Sequence, residues 1–151
     1  MTAIGFYDFD GHKARLSGFQ ERLSEIGFAK EQLSIIETFN DYSTTYNKIF
    51  SYLQSGEHVD AIYMANRSVA ACAEALKALG LEKEIKVICH DVAANTKLLL
   101  EDGSIDFTIT QNLYRQGYLP IIYLKEYLKN DTLPDSTNIT PHISIICSQN
   151  I

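Results

Sequence analysis

The sequence predicts an α/β protein built on a doubly wound parallel sheet. Short apolar runs alternate with segments of helical period, the connections between them are a few residues long, and 151 residues is the length of one domain. Right-handed crossovers leave few strand orders for such a chain. In open sheets of this kind ligands sit beyond the carboxyl ends of the strands, so the residues after each strand are the ones to read for function.

Ala3–Tyr7 is an apolar run that stops at the turn cluster Asp8, Asp10 and Gly11, which predicts a first strand. Ala14, Leu16, Phe19, Leu23 and Ile26 follow at helical spacing from His12 onward, and Gly27 stops that helix. Leu33–Ile36 is the second strand. Asp41 or Ser43 can cap a helix carrying Tyr46, Ile49, Phe50 and Leu53, which ends near Gly56. Val59–Met64 is the third strand, and an alanine-rich helix over Ser68–Leu79 stops at Gly80. Ile85–Cys89 is the fourth strand, with a short helix near Asn95–Leu100 that ends by Gly103. Phe107–Thr110 is the fifth strand, Leu113–Leu128 a long helix despite Pro120, and Ile143–Cys147 a last strand.

Thirteen Lys plus Arg against nineteen Asp plus Glu give a net charge of −6, which disfavours a phosphate-backbone grip because that needs a cationic face. No apolar run approaches a membrane span, and Met1–Phe9 has no basic region followed by a long apolar stretch. Cys72, Cys89 and Cys147 are far apart and odd in number, which fits small apolar residues in a reducing compartment; the expected location is cytoplasmic.

The strand ends carry an unusual polar set. The first supplies Asp8, Asp10, His12 and, one turn into the helix, Arg15; the second Phe39, Asn40, Asp41 and Tyr42; the third Asn66 and Arg67; the fourth His90 and Asp91; the fifth Thr110, Gln111 and Asn112. Aspartate accepts hydroxyl protons, arginine donates in a planar fork, and asparagine and glutamine do both. Aromatic rings beside them can cover an apolar ring face. Such a set suits a polyhydroxylated ring. The plainer reading is that polar residues cap helices and fill turns at the strand ends of any α/β protein.

The segment Arg15-Leu-Ser-Gly-Phe19 resembles the Arg-Leu-x-Gly-Phe of the LacI/GalR regulators and their relatives, the ribose-type periplasmic sugar-binding proteins. Asp60–Asn66 is similar to that family's strand ending in Ala-Asn, Ile85–Asp91 to its strand ending in Asp, and Ile109-Thr-Gln111 with Gln116-Gly117 to a later Thr-x-x-Gln segment. The closing run Ile143–Ile151 is similar to the last strand of the regulators. The resemblance implies a Rossmann-like, periplasmic-binding-protein-like lobe in which Arg15, Asn66, Asp91 and Gln111 contact a ligand and Phe39 or Tyr42 stacks on it. Asp8, Asp10, Tyr42, Arg67 and His90 are secondary rim candidates. Arg67 stands where the family commonly has an acidic residue, and Cys89-His90 where it has Gly-aromatic.

The family's two lobes imply that residues 1–111 are the second lobe and that 112–151 return to an amino-terminal lobe absent from this chain. The expected role is ligand sensing, of a sugar, in a regulator whose DNA-binding headpiece lies elsewhere. A binding protein of a sugar transporter or a small α/β enzyme are the alternatives. The apolar tail predicts a homodimer in which two copies pack or exchange it, the other possibility being docking on the chain's own sheet. No nucleotide-binding glycine motif, nucleophile elbow or paired-histidine metal motif is present, and Asn66 stands where a phosphorylation receiver needs an aspartate. Neither turnover, cofactor nor metal is expected.

Overall fold

The computed structural model describes residues 1–133 and 142–151; residues 134–141 of the returning segment lie outside the described residues. In chain order the elements are β1 (Thr2–Ile4), α1 (Asp10–Glu25), β2 (Ile35–Glu37), α2 (Tyr42–Gln54), β3 (Ala61–Met64), α3 (Val69–Leu79), β4 (Lys86–His90), α4 (Ala94–Glu101), β5 (Phe107–Thr110), α5 (Leu113–Asn130) and β6 (Ser144–Ile146). The sheet order is β2-β1-β3-β4-β5-β6. The first five strands are parallel, so their carboxyl ends form one rim.

Local chemistry sets the boundaries. Asp41 caps α2 by accepting the Thr44 amide at 2.7 Å. Gly27, Gly56, Gly80 and Gly103 all take left-handed φ just past helix ends, where a side chain would be strained. β1 is shorter than predicted. It ends at Ile4 because the Gly5 carbonyl accepts the Phe39 amide at 2.7 Å, and the chain then turns through Phe6–Phe9.

Alternation along the strands sorts side chains onto two faces. Ala3, Ile62, Met64, Val87 and Cys89 pack with Ile49 and Leu53 of α2, with Cys72, Ala75 and Leu76 of α3, and with Leu100 of α4 in one buried core. On the opposite face Ile4, Leu16 of α1 and Ala65 form a smaller cluster against Ile35 and Tyr63. That helix is the only one of the first four to contribute to the second cluster, so β4 and β5 are thinly covered there.

The last strand departs from the all-parallel expectation. β6 pairs antiparallel with β5, with Ser144 opposite Thr110 and Ile146 opposite Thr108. The chain therefore leaves the sheet at the carboxyl rim after β5 and re-enters it at the same rim. Between them α5 runs for 18 residues, about 27 Å, with none of its residues buried. A crossover helix that returned the chain to the amino end of the sheet would pack on a face. This one does not, and β6 starts at the rim where β5 ends. The tail strand thus docks on its own sheet.

Candidate functional site

Four non-glycine residues on the carboxyl rim adopt left-handed backbone: Phe39 and Asn40 after β2, Asp91 after β4 and Asn112 after β5. Such conformations cost energy and concentrate at functional positions. Three of them are fixed by hydrogen bonds of their own. The Phe39 amide is held by Gly5, the Asp91 amide donates to the Ile109 carbonyl at 2.8 Å while its own carbonyl accepts from Thr108 Oγ1 at 2.8 Å, and Asn112 caps α5 through Arg115 N–H at 3.1 Å.

Asp91 has a demanding environment. Its Oδ1 is buried and has no hydrogen-bond partner within the protein. An acceptor shielded from water without a donor is costly, and a ligand hydroxyl or N–H would satisfy it. Arg15 reaches over from α1, where its Nη1 donates to the Ala65 carbonyl at 3.2 Å, beside the end of β3.

Asn66 sits differently from a ligand-facing group. It is 2% exposed, and its Nδ2 donates to Thr38 Oγ1 at 2.7 Å while Oδ1 accepts the Ser68 amide at 3.0 Å. Thr38 in turn donates to the Ile4 carbonyl at 2.9 Å. The residue expected to touch ligand is here a tie between the ends of β1, β2 and β3, and one of its amide hydrogens is left over.

Phe39 is 47% exposed, meets Phe6 edge-on at 5.8 Å and lies under Lys48 at 5.2 Å. Gln111 is half-buried, and the Gln116 side-chain amide donates to its carbonyl at 3.1 Å. Among the secondary candidates, Asp8 and Asp10 are exposed, and Asp10 opens α1, where its charge suits the helix amino end. Tyr42 donates its hydroxyl to Glu74 and Arg67 is exposed. Both line a depression of about 330 Å³ with Asn40, Ser68 and Asn95.

His90 points away from Asp91, onto the α1 side of the sheet, where its Nε2 is 2.5 Å from the Tyr63 hydroxyl. Burial, with Arg15 nearby, pushes its pKa down to about 4, so it is neutral at physiological pH. Among the described residues no group of three or more His, Cys, Asp or Glu is placed to hold a metal ion, and no helix is long and apolar enough to cross a membrane.

Sequence reasoning passed over Gly5, Phe6, Phe9 and Thr38. Phe6 and Phe9 read as strand and turn, yet both are exposed at the rim beside Phe39 and His12. The available signal was Gly5 itself, a glycine directly after an apolar run that ends at a turn. A Cβ there would lie 2.3 Å from His12 Cε1 and 2.5 Å from Asn40 Oδ1.

Comparison with known proteins agrees with this architecture. The Xylose/arabinose-binding protein XylF of Sulfolobus acidocaldarius is 39% identical over 62 residues, covering 41% of this chain and 15% of that protein. An ABC transporter solute-binding protein of Agrobacterium vitis, solved with α-D-tagatopyranose, superposes with a TM-score of 0.83 at 21% identity, over 99% of this chain and 50% of that one. A solute-binding protein of Bacillus halodurans C-125 with bound myo-inositol gives 0.83 at 18%, over 99% and 51%. The chain thus spans about half the length of these solved structures. A family profile described as periplasmic binding protein domain matches residues 3–132, and the chain belongs to that family.

Proposed function

We propose that this chain is the second-lobe part of a sugar-binding protein of the kind that serves an ABC transporter, and that its carboxyl rim contacts a neutral sugar. The observation that carries the reading is the buried, partnerless Asp91 Oδ1 on left-handed backbone, with Arg15 on the same rim. A carboxylate oxygen and a guanidinium bind adjacent hydroxyls as acceptor and donor, and Phe39 offers an apolar face. Gln111 completes the polar set.

The names and bound sugars of the similar proteins support transport over gene regulation, the reading the tail and the cysteines first suggested. Under the transport reading the chain works outside the cytoplasm. A regulator would use the same rim for the same class of ligand; three free thiols, two of them buried, speak for it. What the gene encodes before Met1 separates the two: a secretion signal or a DNA-binding headpiece. In either case α5, with Tyr114, Ile121 and Leu128 exposed, is the element that a second lobe covers. A homodimer is the alternative cover, and a mass near 17.0 kDa by light scattering counts against it.

Calorimetry against D-xylose, L-arabinose, D-allose and myo-inositol tests the ligand class. Binding of at least one of them should weaken by about 1.5–3 kcal/mol in Asp91→Ala, the scale of a lost hydrogen bond to a charged group. Unchanged affinity in that variant would remove Asp91 from the site.

A further inference from the structure

His12 lies in the first turn of α1, is 5% exposed, and is used by none of the contacts assigned to ligand. Its Nδ1 accepts the Phe6 backbone amide at 3.1 Å. Its ring lies 5.0 Å from that of Phe9. Gly5 lets the ring approach the backbone between β1 and the rim, on the same spot where Asn40 Oδ1 approaches from the loop after β2. Phe6, whose amide His12 holds, meets Phe39 edge-on. The imidazole therefore holds the Gly5–Phe9 loop, and it shares the space over Gly5 with Asn40 of the loop that carries Phe39.

We infer that His12 is a positioning residue of the rim: its unprotonated Nδ1 braces the Gly5–Phe9 loop, and through Gly5 and Asn40 the Phe39 loop, so that Phe6, Phe9 and Phe39 form one edge. That this edge faces a sugar rests on the reading above; the brace itself does not.

A second proton on the imidazole converts Nδ1 from acceptor to donor and sets it against the Phe6 N–H. Burial and the positive charge of Arg15 oppose that proton, so the ring takes it up at a lower pH than an ordinary histidine does. The charged groups nearest along these elements are Asp8 in the loop before α1, Asp10 and Lys13 in its first turn, Glu37, which accepts the Tyr7 amide at 2.8 Å, Asp41, which caps α2, and Lys48 over Phe39. The carboxylates of Asp8 and Asp10 are exposed to solvent.

The test is backbone amide NMR of the whole chain between neutral and acidic pH, with His12→Asn and His12→Phe. Asparagine places an acceptor oxygen where Nδ1 stands and does not titrate. In the parent, the Phe6 and Asn40 amides should shift with the same midpoint as the His12 ring, below about 6.5. In H12N those shifts should vanish while the Phe6 amide stays protected. In H12F the Phe6 amide should exchange on the order of tenfold faster at every pH, the scale of one lost hydrogen bond. Phe6 and Asn40 resonances that stay flat while His12 titrates would overturn the inference, as would an H12F chain in which Phe6 is as protected as in the parent. Should H12F not fold, the H12N comparison decides alone. Added D-xylose tests the other layer: if no rim resonance moves with the sugar, the sugar-site reading fails while the pH result still judges the brace.

Discussion

The two faces of the sheet are finished to different degrees. On one, α2, α3 and α4 seal Ile62, Met64, Val87 and Cys89 from water. On the other, α1 covers Ile4, Ala65 and part of Tyr63, and beyond it the stripe Ile88, Phe107, Ile109 and Ile145 is half-buried or exposed, with Ile145 at 63%. The register puts these residues side by side, Tyr63 by Ile88, Ile88 by Phe107 and Ile109 by Ile145. Parallel strands are ordinarily covered on both faces and apolar on both. The residues have that composition here, while the second cover is incomplete. The sealed face holds the strand ends in place, while the open face and α5 leave apolar side chains at the surface.

The largest effect that sharpens this contrast is on stability. Ile62→Ala, in the sealed core, should cost about 2–5 kcal/mol in urea unfolding through the cavity it leaves. Ile145→Ala, the same type of residue on the open face, should cost under about 1 kcal/mol. Equal costs would mean that the open face is covered in solution.

Gly5→Ala comes next. Its Cβ would meet His12 and Asn40 far inside contact distance, so the variant should lose about 1–3 kcal/mol, with the amide shifts of Phe6 and Phe39 moving together. Gly18→Ala, in open space on α1, should do no harm and serves as the control.

A smaller effect comes from pH. In the unfolded chain His90 protonates near the ordinary value of about 6.5, whereas in the fold it does so only near about 4. Between these the unfolded state binds more protons, so its share of stability is complete above about 6.5 and is lost as pH falls toward about 4. His12, lowered by burial and Arg15, adds in the same direction. Urea midpoints measured across that window should fall on acidification, and His90→Gln should flatten the slope. A slope unchanged by that substitution would show that His90 is not its source.

Much of this was legible in the residues. Alternating apolar runs and helical spacings located each described strand and helix to within a few residues, because burial on a sheet and on a helix leaves different periods. The glycine stops read correctly because each answers a local backbone need, and of the two caps offered for α2 the structure uses Asp41 rather than Ser43. The direction of β6 was not legible, since it depends on the rim at which the chain re-enters the sheet, and the apolar spacing of Tyr114, Ile121 and Leu128 does not say which surface they meet. Asp91 and Arg15, which residue type pointed to, do lie together at the rim. Residue type did not foresee that Asn66 spends its hydrogen bonds on Thr38 and Ser68, or that His12, three residues before Arg15, lies buried against Gly5. Those facts come from loops meeting in space.

The most direct test of the rim is a map of amide shifts as D-xylose is titrated through the millimolar range. The shifts should gather at Arg15, Phe39, Asp91 and Gln111 and leave Met1, Asp60 and Lys86, at the amino ends of the strands, unmoved. In Asp91→Ala the same titration should move those rim residues far less. Shifts gathered on α5 or at the amino ends of the strands, or rim shifts that persist in Asp91→Ala, would contradict the account.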